Sequence, residues 1–293
     1  MRTVSLFSGC GGLDLGLIQA GFKIVVANDK MPEAVRTYEK NIGKNIILGD
    51  LREKETRKKI FDIAKPGNID LVVGGPPCQG FSTLGDKLSC DPRNNLFDSF
   101  ADMVSILKPK YLLMENVKAM TTMYGGQFKD YVIQKFSDLG YDVSYVVLNA
   151  AEYGVPQNRE RVFFFGTKEN KSFSFPKKTH GEQKGRSPFE TVEDWIMDIA
   201  GKENIIPNHI PLNHSEIVTR RYKLIPEGGK LPSPEKLPKD IRRLNFGSTY
   251  KRLDRKKPSP TLVPGNNAFP VHPILDRSLT PREAARIQTF PDK

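Results

Sequence analysis

The chain has 293 residues, of which 38% are hydrophobic and 27% are charged, proportions typical of a globular protein. No apolar run reaches the roughly 20 residues of a membrane-spanning helix, and glycines interrupt the N-terminal run where a signal peptide would have an apolar core. We therefore expect a cytoplasmic protein. The net charge of +11 favours a polyanionic partner, because lysine and arginine side chains release counterions from phosphate backbones.

The first 167 residues alternate between strand and helix patterns. Predicted strands lie at 3–7, 23–28, 45–48, 71–73, 111–114, 143–148 and 161–166, and predicted helices at 13–20, 32–41, 54–64, 96–107 and 128–139. Continuous apolar strands that alternate with helices predict a mostly parallel sheet covered on both faces. Such a sheet is typical of a doubly wound α/β domain, whose ligands bind beyond the carboxyl ends of the strands.

The composition changes after about residue 168. Residues 169–275 are rich in proline, lysine and asparagine, and one clear helix is predicted at 191–200. We expect a smaller domain of loops and short strands here. Its basic stretch, 215–260, is compatible either with a solvated surface or with nucleic-acid binding. Within 277–288 a helix is predicted, with Thr280 as N-cap and Glu283 completing a capping box.

Cysteine and histidine usage argues against several kinds of site. The three cysteines form no CxxC pair, which argues against a disulfide scaffold and a structural zinc site. The four histidines show no metal-ligand spacing, and His209 and His214, which lie among prolines and asparagines, are interpreted as loop residues. We expect Cys10 and Cys90 to be small buried side chains.

A glycine-rich turn follows the first predicted strand, in the sequence LFSGCGGLD (6–14). Close glycines let the backbone approach a ligand. The second strand ends at Asp29, where a carboxylate suits a ribose diol, and Asp50 follows the third strand, where a carboxylate can accept a hydrogen bond from an adenine amino group. The pattern therefore outlines a pocket for an adenosine without phosphates, although the glycines alone also fit a tight strand–helix turn. A GxGxxG motif, which a nicotinamide dehydrogenase would need, is absent.

Candidate reactive side chains lie at the ends of three further strands. Cys78 lies in GGPPCQGFS, a rigid loop that presents a thiol at the carboxyl edge of the sheet, where a thiolate can act as a nucleophile. Glu115 can hold or protonate a ring nitrogen and Asn116 can fix the loop, although Glu-Asn is also common in strand-terminal turns. Arg159 and Arg161 are two residues apart and point the same way before a strand, where they either share a site or form an exposed basic pair.

The ordered segments LFSGCGG, GGPPCQGFS, ENV, QNRERVFFFG and RSLTPREAARIQTFP resemble the cytosine-5 DNA methyltransferases of bacterial restriction-modification systems. The resemblance covers about residues 1–170 and 275–293. It implies a Rossmann-like, doubly wound methyltransferase domain (1–168 and 276–293) with a smaller target-recognition domain (169–275) inserted. It also implies metal-free methyl transfer from S-adenosylmethionine to C5 of a cytosine that is flipped out of duplex DNA.

The resemblance also implies individual roles. Cys78 would attack C6 of the cytosine, and Glu115 would hydrogen-bond and protonate N3. Arg161, together with Arg159, would hold the base and form part of the environment of the thiolate. Asn116 would support the loop. The residues expected to line the S-adenosylmethionine pocket are Phe7, Gly9, Gly11, Gly12, Asp29, Asp50, Pro77 and Leu96. Those expected to contact DNA are Gln79, Ser82, Tyr250, Arg252 and Thr261.

The sequence departs from the family pattern at two places. Lys30 stands where related enzymes often carry an apolar or aromatic residue. Family members usually continue into a final segment with a Gly-Asn dipeptide that completes the cofactor pocket, whereas Gly265-Asn266 here precedes the final helix. We therefore expect a truncated chain or one part of a split enzyme, whose missing segment a separate chain supplies. A cognate restriction endonuclease is a further expected partner.

Two alternatives to the DNA methyltransferase follow from the same residues. A transfer-RNA cytosine-5 methyltransferase would share the fold, but the sizeable basic recognition domain favours DNA. A catalytically incomplete DNA-binding fragment, subunit or regulatory protein is the other alternative. The presence of Cys78, Glu115 and Arg161 argues against it.

Overall fold

The computed structural model describes residues 1–77, 95–169, 173–242, 250–263 and 269–292. The chain divides into two compact units, the first formed by 1–148 and 160–175 and the second by 149–159 and 176–293. The described part of the final segment thus packs within the second unit, whereas the sequence-based division assigns 276–293 to the methyltransferase domain. Within the described ranges, no helix is both long enough and apolar enough to cross a membrane.

The described residues form short strands and helices in both units, and the two kinds of element alternate in the first unit. The strands are β1 (Arg2–Leu6), β2 (Lys23–Asp29), β3 (Ile46–Leu48), β4 (Leu71–Gly74), β5 (Tyr111–Val117), β6 (Asp142–Asn149), β7 (Gln157–Asn158), β8 (Glu160–Thr167) and β9 (Ser259–Pro260). The helices are α1 (Gly12–Gln19), α2 (Pro32–Asn41), α3 (Lys54–Ala64), α4 (Asn95–Leu107), α5 (Gln127–Ser137), α6 (Val192–Ile196), α7 (Glu216–Lys223) and α8 (Pro281–Ile287).

The first unit is built on a seven-stranded sheet in the order β3-β2-β1-β4-β5-β8-β6. The pairs β2–β3, β1–β2, β1–β4 and β4–β5 are parallel, and β5–β8 is antiparallel. The order of the strands along the chain reverses between β1 and β4. The carboxyl ends of these two strands therefore form the topological switch point at which α/β domains bind ligands. The prediction of a mostly parallel, doubly wound sheet is confirmed.

Apolar side chains cover both faces of the sheet. On one face, Val72, Leu112 and Phe164 pack in the main core with Phe100 of α4 and Phe136 of α5. On the other face, a second cluster joins residues of β2 and β3 to α1 and α2; its buried members are Ile24, Ala27, Val35, Tyr38 and Ile46. Because apolar residues lie on both faces, the strands read as nearly continuous apolar runs rather than as alternating ones.

Strand β5 is longer than its sequence pattern predicts. It runs to Val117, so Glu115 and Asn116 lie inside the strand rather than in a turn after it. The cause is antiparallel pairing with β8, which stays in register from Tyr111 opposite Thr167 to Val117 opposite Arg161. Because this pairing depends on a partner strand more than forty residues away, the local apolar pattern of 111–114 could not indicate it.

Among the residues that the structure describes, the second unit has few regular elements. Val192 and Ile196 of α6 pack with Leu253, Leu279 and Ile287 in its largest buried cluster. Helix α6 covers only part of the predicted helix at 191–200, and α7 was not predicted from the sequence. At α8 the predicted capping box is confirmed: the Thr280 side chain accepts from the Glu283 N–H, and the Thr280 N–H donates to the Glu283 carboxylate.

Two of the four histidines, His209 and His272, are completely buried. The ring nitrogens of His209 lie 2.8 Å from Thr280 Oγ1 and 2.9 Å from the carbonyl oxygen of Ile199. His272 accepts the backbone N–H groups of Ile274 and Leu275 at Nδ1, each at 3.2 Å, so the neutral ring carries its proton on Nε2. Burial lowers the pKa of His272 to about 4, even though Glu283 lies 3.6 Å away.

The buried His272 predicts a loss of stability on mild acidification. The unfolded chain binds a proton near the ordinary pKa of 6.5, whereas the folded chain binds it only near 4, so the stabilisation present above pH 6.5 is lost as the pH falls towards 4. Between pH 7 and pH 5 the free energy of unfolding should fall by about 2 kcal/mol more in the wild type than in His272→Asn.

Urea unfolding at both pH values measures this difference. His180→Asn, at a half-buried histidine of the same unit, serves as the matched control and should keep the wild-type pH dependence. Equal slopes for the wild type and His272→Asn would contradict the prediction.

Candidate active site

The turn after β1 has a backbone that favours glycine. Phe7, Gly9 and Gly11 all have positive φ angles, of 54°, 55° and 90°. A Cβ atom on Gly11 would lie 2.1 Å from Cδ1 of Ile42 and 2.8 Å from Cδ2 of Tyr38, so packing alone requires glycine there. A Cβ atom on Gly9 would meet nothing within 4 Å. Space therefore remains beside Gly9 for a ligand to approach the backbone.

Two carboxylates stand at the ends of the neighbouring strands. Asp29, at the end of β2, accepts the N–H groups of Gly9 (2.8 Å) and Met31 (2.9 Å), one on each oxygen. Asp50, after β3, accepts the Arg52 Nε at 3.0 Å and Nη2 at 2.6 Å, and the Arg52 guanidinium holds the pKa of Asp50 below its ordinary value. Both carboxylates lie at strand ends, as predicted from the sequence, whereas the Arg52 partner of Asp50 was not predicted.

Other predicted pocket residues lie near the same sheet edge. Phe7 is half-buried against the main core, Gly12 is the first residue of α1, and the exposed Pro77 follows β4. Leu96 is buried in the first turn of α4. The register pairs Leu6 with Gly74, which brings the turn after β1 beside the loop after β4.

Some predicted residues cannot be placed. Cys78, Gln79, Ser82 and Cys90 lie outside the described residues.

Cys10 is exposed rather than buried, so the prediction of a small buried side chain is wrong for it. The reason is that the left-handed turn projects this residue outward between two positive-φ glycines.

Glu115 and Arg161 form an ion pair near the loop that leads to Cys78. Arg161 Nε lies 3.0 Å from Glu115 Oε1, and the two side chains are 17% and 27% exposed, respectively. They share one face of the sheet, because Arg161 is opposite Val117 and side chains alternate along a strand. A Cβ atom on Gly75 would lie 3.1 Å from Glu115 Oε2, so the carboxylate lies directly against the backbone of this loop.

Asn116 holds the same loop from the opposite face of β5. Its Nδ2 donates to the carbonyl oxygen of Pro76 at 2.7 Å, and its Oδ1 accepts the N–H of Val117 at 2.8 Å. The side chain is buried. A buried side-chain amide that satisfies a loop carbonyl fixes the backbone two residues before Cys78.

Arg159 and Arg161 belong to different units. Arg159 pairs by its backbone with Asn149 and Ala150 in the second unit, at 3.0 Å each, whereas Arg161 lies in β8 of the first. That both arginines face one site therefore stays a prediction.

Arg252 lies in the interior of the second unit. It is buried, and its guanidinium donates to the carbonyl oxygens of Tyr222, Ile225, His272 and Leu275 and to the carboxylate of Asp276, all within 2.9 Å. Because these bonds occupy the guanidinium, the structure argues against the predicted DNA contact. We propose instead that Arg252 joins the chain around Tyr222 and Ile225 to the chain from His272 to Asp276.

The other two predicted DNA contacts of this unit are also held by internal bonds. Tyr250 is buried, its hydroxyl accepts Arg221 Nη1 at 3.2 Å, and its ring packs against Tyr222. Thr261 is half-buried and donates to the carbonyl oxygen of Asn158 at 2.7 Å. The position of Tyr250 gives it a packing role, whereas a DNA contact by Thr261 stays a prediction.

The interior position of Arg252 predicts that Arg252→Met lowers the free energy of unfolding by about 3 kcal/mol or more, because carbonyl groups and a carboxylate lose their partner. Urea unfolding measures the change. Arg255→Met is the matched control, since Arg255 is partly exposed and forms an ion pair with Glu227. If Arg252→Met kept wild-type stability but bound DNA more weakly, the interior role would be contradicted and the predicted DNA contact by Arg252 would be supported.

Known proteins are similar to this chain over nearly its whole length. Residues 1–293 match the family of C-5 cytosine-specific DNA methylases. The Type II methyltransferase M1.HphI of Haemophilus parahaemolyticus is 34% identical, over 99% of this chain and 77% of its own length. The Type II methyltransferase M.NgoFVII of Neisseria gonorrhoeae is 37% identical, over 99% of this chain and 78% of its own length.

Solved structures share the fold. A protein encoded within an E. coli prophage, described as a candidate DNA modification methyltransferase, superposes with a TM-score of 0.71 at 28% identity, covering 100% of this chain and 89% of its own. The Dnmt2 methyltransferase of S. pombe has the same fold, with a TM-score of 0.60 at 19% identity over 99% of this chain and 86% of its own. The predicted Rossmann-like methyltransferase fold is confirmed, and the chain belongs to the C-5 cytosine-specific DNA methylase family.

Proposed function

We propose that the protein transfers a methyl group from S-adenosylmethionine to C5 of a flipped-out cytosine in a specific duplex DNA sequence, through a covalent bond between Cys78 and C6. The observation that carries the proposal is the Glu115–Arg161 pair, which lies against the backbone of Gly75 in the loop that leads to Cys78. Since the named relatives are Type II methyltransferases, we further propose that the protein protects DNA in a restriction-modification system.

The residues around the turn after β1 fit S-adenosylmethionine. The open space beside Gly9 admits a ligand to a left-handed backbone, and Asp29 offers carboxylate oxygens where ribose hydroxyls would lie. Asp50 follows the adjacent strand and would face the adenine, on which Phe7 would stack. When bound, the sulfonium group supplies an electrophilic methyl group. Pro77 and Leu96 would complete the lining, together with Gly11 and Gly12.

The proposed chemistry explains why a thiol and a carboxylate are needed together. Cytosine C5 is a weak nucleophile, so the Cys78 thiolate first adds to C6 while Glu115 delivers a proton to N3. This addition places electron density on C5, which can then accept a methyl group. A water molecule then takes the C5 proton, the C5–C6 double bond forms again as the thiolate leaves, and N3 returns its proton to the Glu115 carboxylate. Arg161 fixes one oxygen of Glu115 and so orients the carboxylate.

The target base must leave the stack before this chemistry can occur, at a cost of a few kcal/mol. We propose that the second unit, whose residues 215–260 are rich in lysine and arginine, supplies much of the binding energy through phosphate contacts. Gln79, Ser82 and Thr261 remain proposed contacts to DNA. A cognate endonuclease, a separate partner chain and a cytoplasmic location also stay predictions.

A mechanism-based trap tests the proposal. Sequencing of methylated DNA from an expressing host identifies the target site, and a duplex with 5-fluorocytosine at that site is then incubated with protein and S-adenosylmethionine. Because fluorine cannot leave C5 as the proton does, the wild type should accumulate a covalent adduct that mass spectrometry maps to Cys78, and Cys78→Ala should give none. Methylation of the ordinary duplex without an adduct at Cys78 would contradict the mechanism, and methylation of transfer RNA alone would contradict the substrate.

Glu115→Gln should lower kcat on duplex DNA by roughly 10²- to 10⁴-fold, because the amide cannot transfer a proton to N3. The matched control is Glu160→Gln, at an exposed glutamate of β8 that pairs with Lys118. The control should keep near-wild-type turnover. Equal rates for Glu115→Gln and Glu160→Gln under saturating substrates would remove Glu115 from the catalytic role.

A further inference from the structure

A buried hydrogen-bond network lies beneath the turn after β1. Its centre is Asp14, in the first turn of α1, whose side chain is completely buried. One carboxylate oxygen accepts the hydroxyl of Ser5 at 2.6 Å, and the other accepts the hydroxyl of Tyr38 at 2.8 Å. Burial raises the pKa of Asp14, and the hydrogen bonds from the Ser5 and Tyr38 hydroxyls act in the opposite direction and lower it. These two bonds are therefore the means by which the protein keeps a carboxylate in its interior.

The network continues to the other strand ends of the proposed pocket. Ser5 Oγ lies 2.9 Å from the hydroxyl of Ser8, and the Ser8 N–H donates to the carbonyl oxygen of Asn28 at 3.0 Å. Asn28 Nδ2 donates in turn to the carbonyl oxygens of Ile47 and Gly49, at 3.0 Å each. One chain of hydrogen bonds thus joins the turn after β1, the end of β2 and the turn after β3.

Tyr38 contacts the turn in a second way. Its ring lies under Gly11, where a Cβ atom would come within 2.8 Å of Cδ2, and the tyrosine is completely buried. The ring therefore supports the left-handed backbone of the turn while the hydroxyl holds Asp14. Substitution by phenylalanine would keep the packing and remove only the hydrogen bond.

We propose that Tyr38 and Asp14 are positioning residues for the methyl donor, which hold the turn from Phe7 to Gly12 in its binding conformation before the ligand arrives. The inference rests on the proposed use of S-adenosylmethionine. A preorganised turn reduces the ordering that binding requires, so loss of the network weakens ligand affinity more than it changes the chemical step.

The test compares Tyr38→Phe with Tyr141→Phe. Tyr141 is also a buried tyrosine of the first unit, and its hydroxyl donates one hydrogen bond, to the carbonyl oxygen of Pro109 at 2.7 Å, in the main core. Calorimetry with S-adenosylhomocysteine should show that Kd rises about tenfold in Tyr38→Phe, as expected for one charge-assisted hydrogen bond, and changes less than twofold in Tyr141→Phe. At saturating S-adenosylmethionine, kcat and the KM for DNA should stay near wild-type values.

Hydrogen exchange of the ligand-free protein gives an independent readout. The amides of Gly9 to Gly12 should exchange faster in Tyr38→Phe than in the wild type or Tyr141→Phe, because the turn is less firmly held. If Tyr38→Phe does not fold, Ser5→Ala removes the other hydroxyl donor to Asp14 and should produce the same changes.

The outcomes separate this inference from the function on which it rests. Wild-type protein that binds neither S-adenosylmethionine nor S-adenosylhomocysteine would overturn both. Wild-type binding that Tyr38→Phe or Ser5→Ala leaves unchanged, or that Tyr141→Phe weakens equally, would overturn the positioning role alone.

Discussion

The alignment of strand ends at one edge of the sheet is the constraint on which the candidate site depends. Leu6 of β1 is paired with Asn28 of β2 and with Gly74 of β4, and Gly74 is paired with Met114 of β5. The turns that follow β1, β2 and β4 therefore begin side by side, and β5 continues past them to Val117. At Gly74 the alignment leaves no room for a side chain, because a Cβ atom would lie 2.5 Å from the carbonyl oxygen of Leu6.

Each carboxylate near this edge is held by partners that suit its surroundings. Asp29 binds two backbone N–H groups, Asp50 binds a guanidinium at the surface, and the fully buried Asp14 binds two hydroxyl groups. Glu115 is partly exposed and pairs with Arg161. Since an unpaired charge is costly away from water, these partners determine where each carboxylate points before any ligand binds.

Polar groups inside its loops help to hold the second unit together, beside its apolar clusters. The guanidinium of Arg252 joins loop carbonyls that no strand or helix would satisfy, and the imidazole of His209 bridges Thr280 and the carbonyl oxygen of Ile199. A high content of basic residues in this unit is therefore not a direct measure of the surface available to DNA. Some of its cations, such as Arg252, act in the interior.

The sequence by itself determined the features that depend on near neighbours along the chain. The helices at 32–41 and 54–64, the capping box of α8 and the placement of Asp29 and Asp50 at strand ends all follow from residues a few positions apart. The family also followed from the sequence, because its motifs are short continuous segments. Tertiary structure alone decided the Glu115–Arg161 pair, the extension of β5, the burial of Arg252 and His272 and the bond between Tyr38 and Asp14. These features join residues far apart in the chain, and their geometry depends on strand register and packing, which no local pattern encodes.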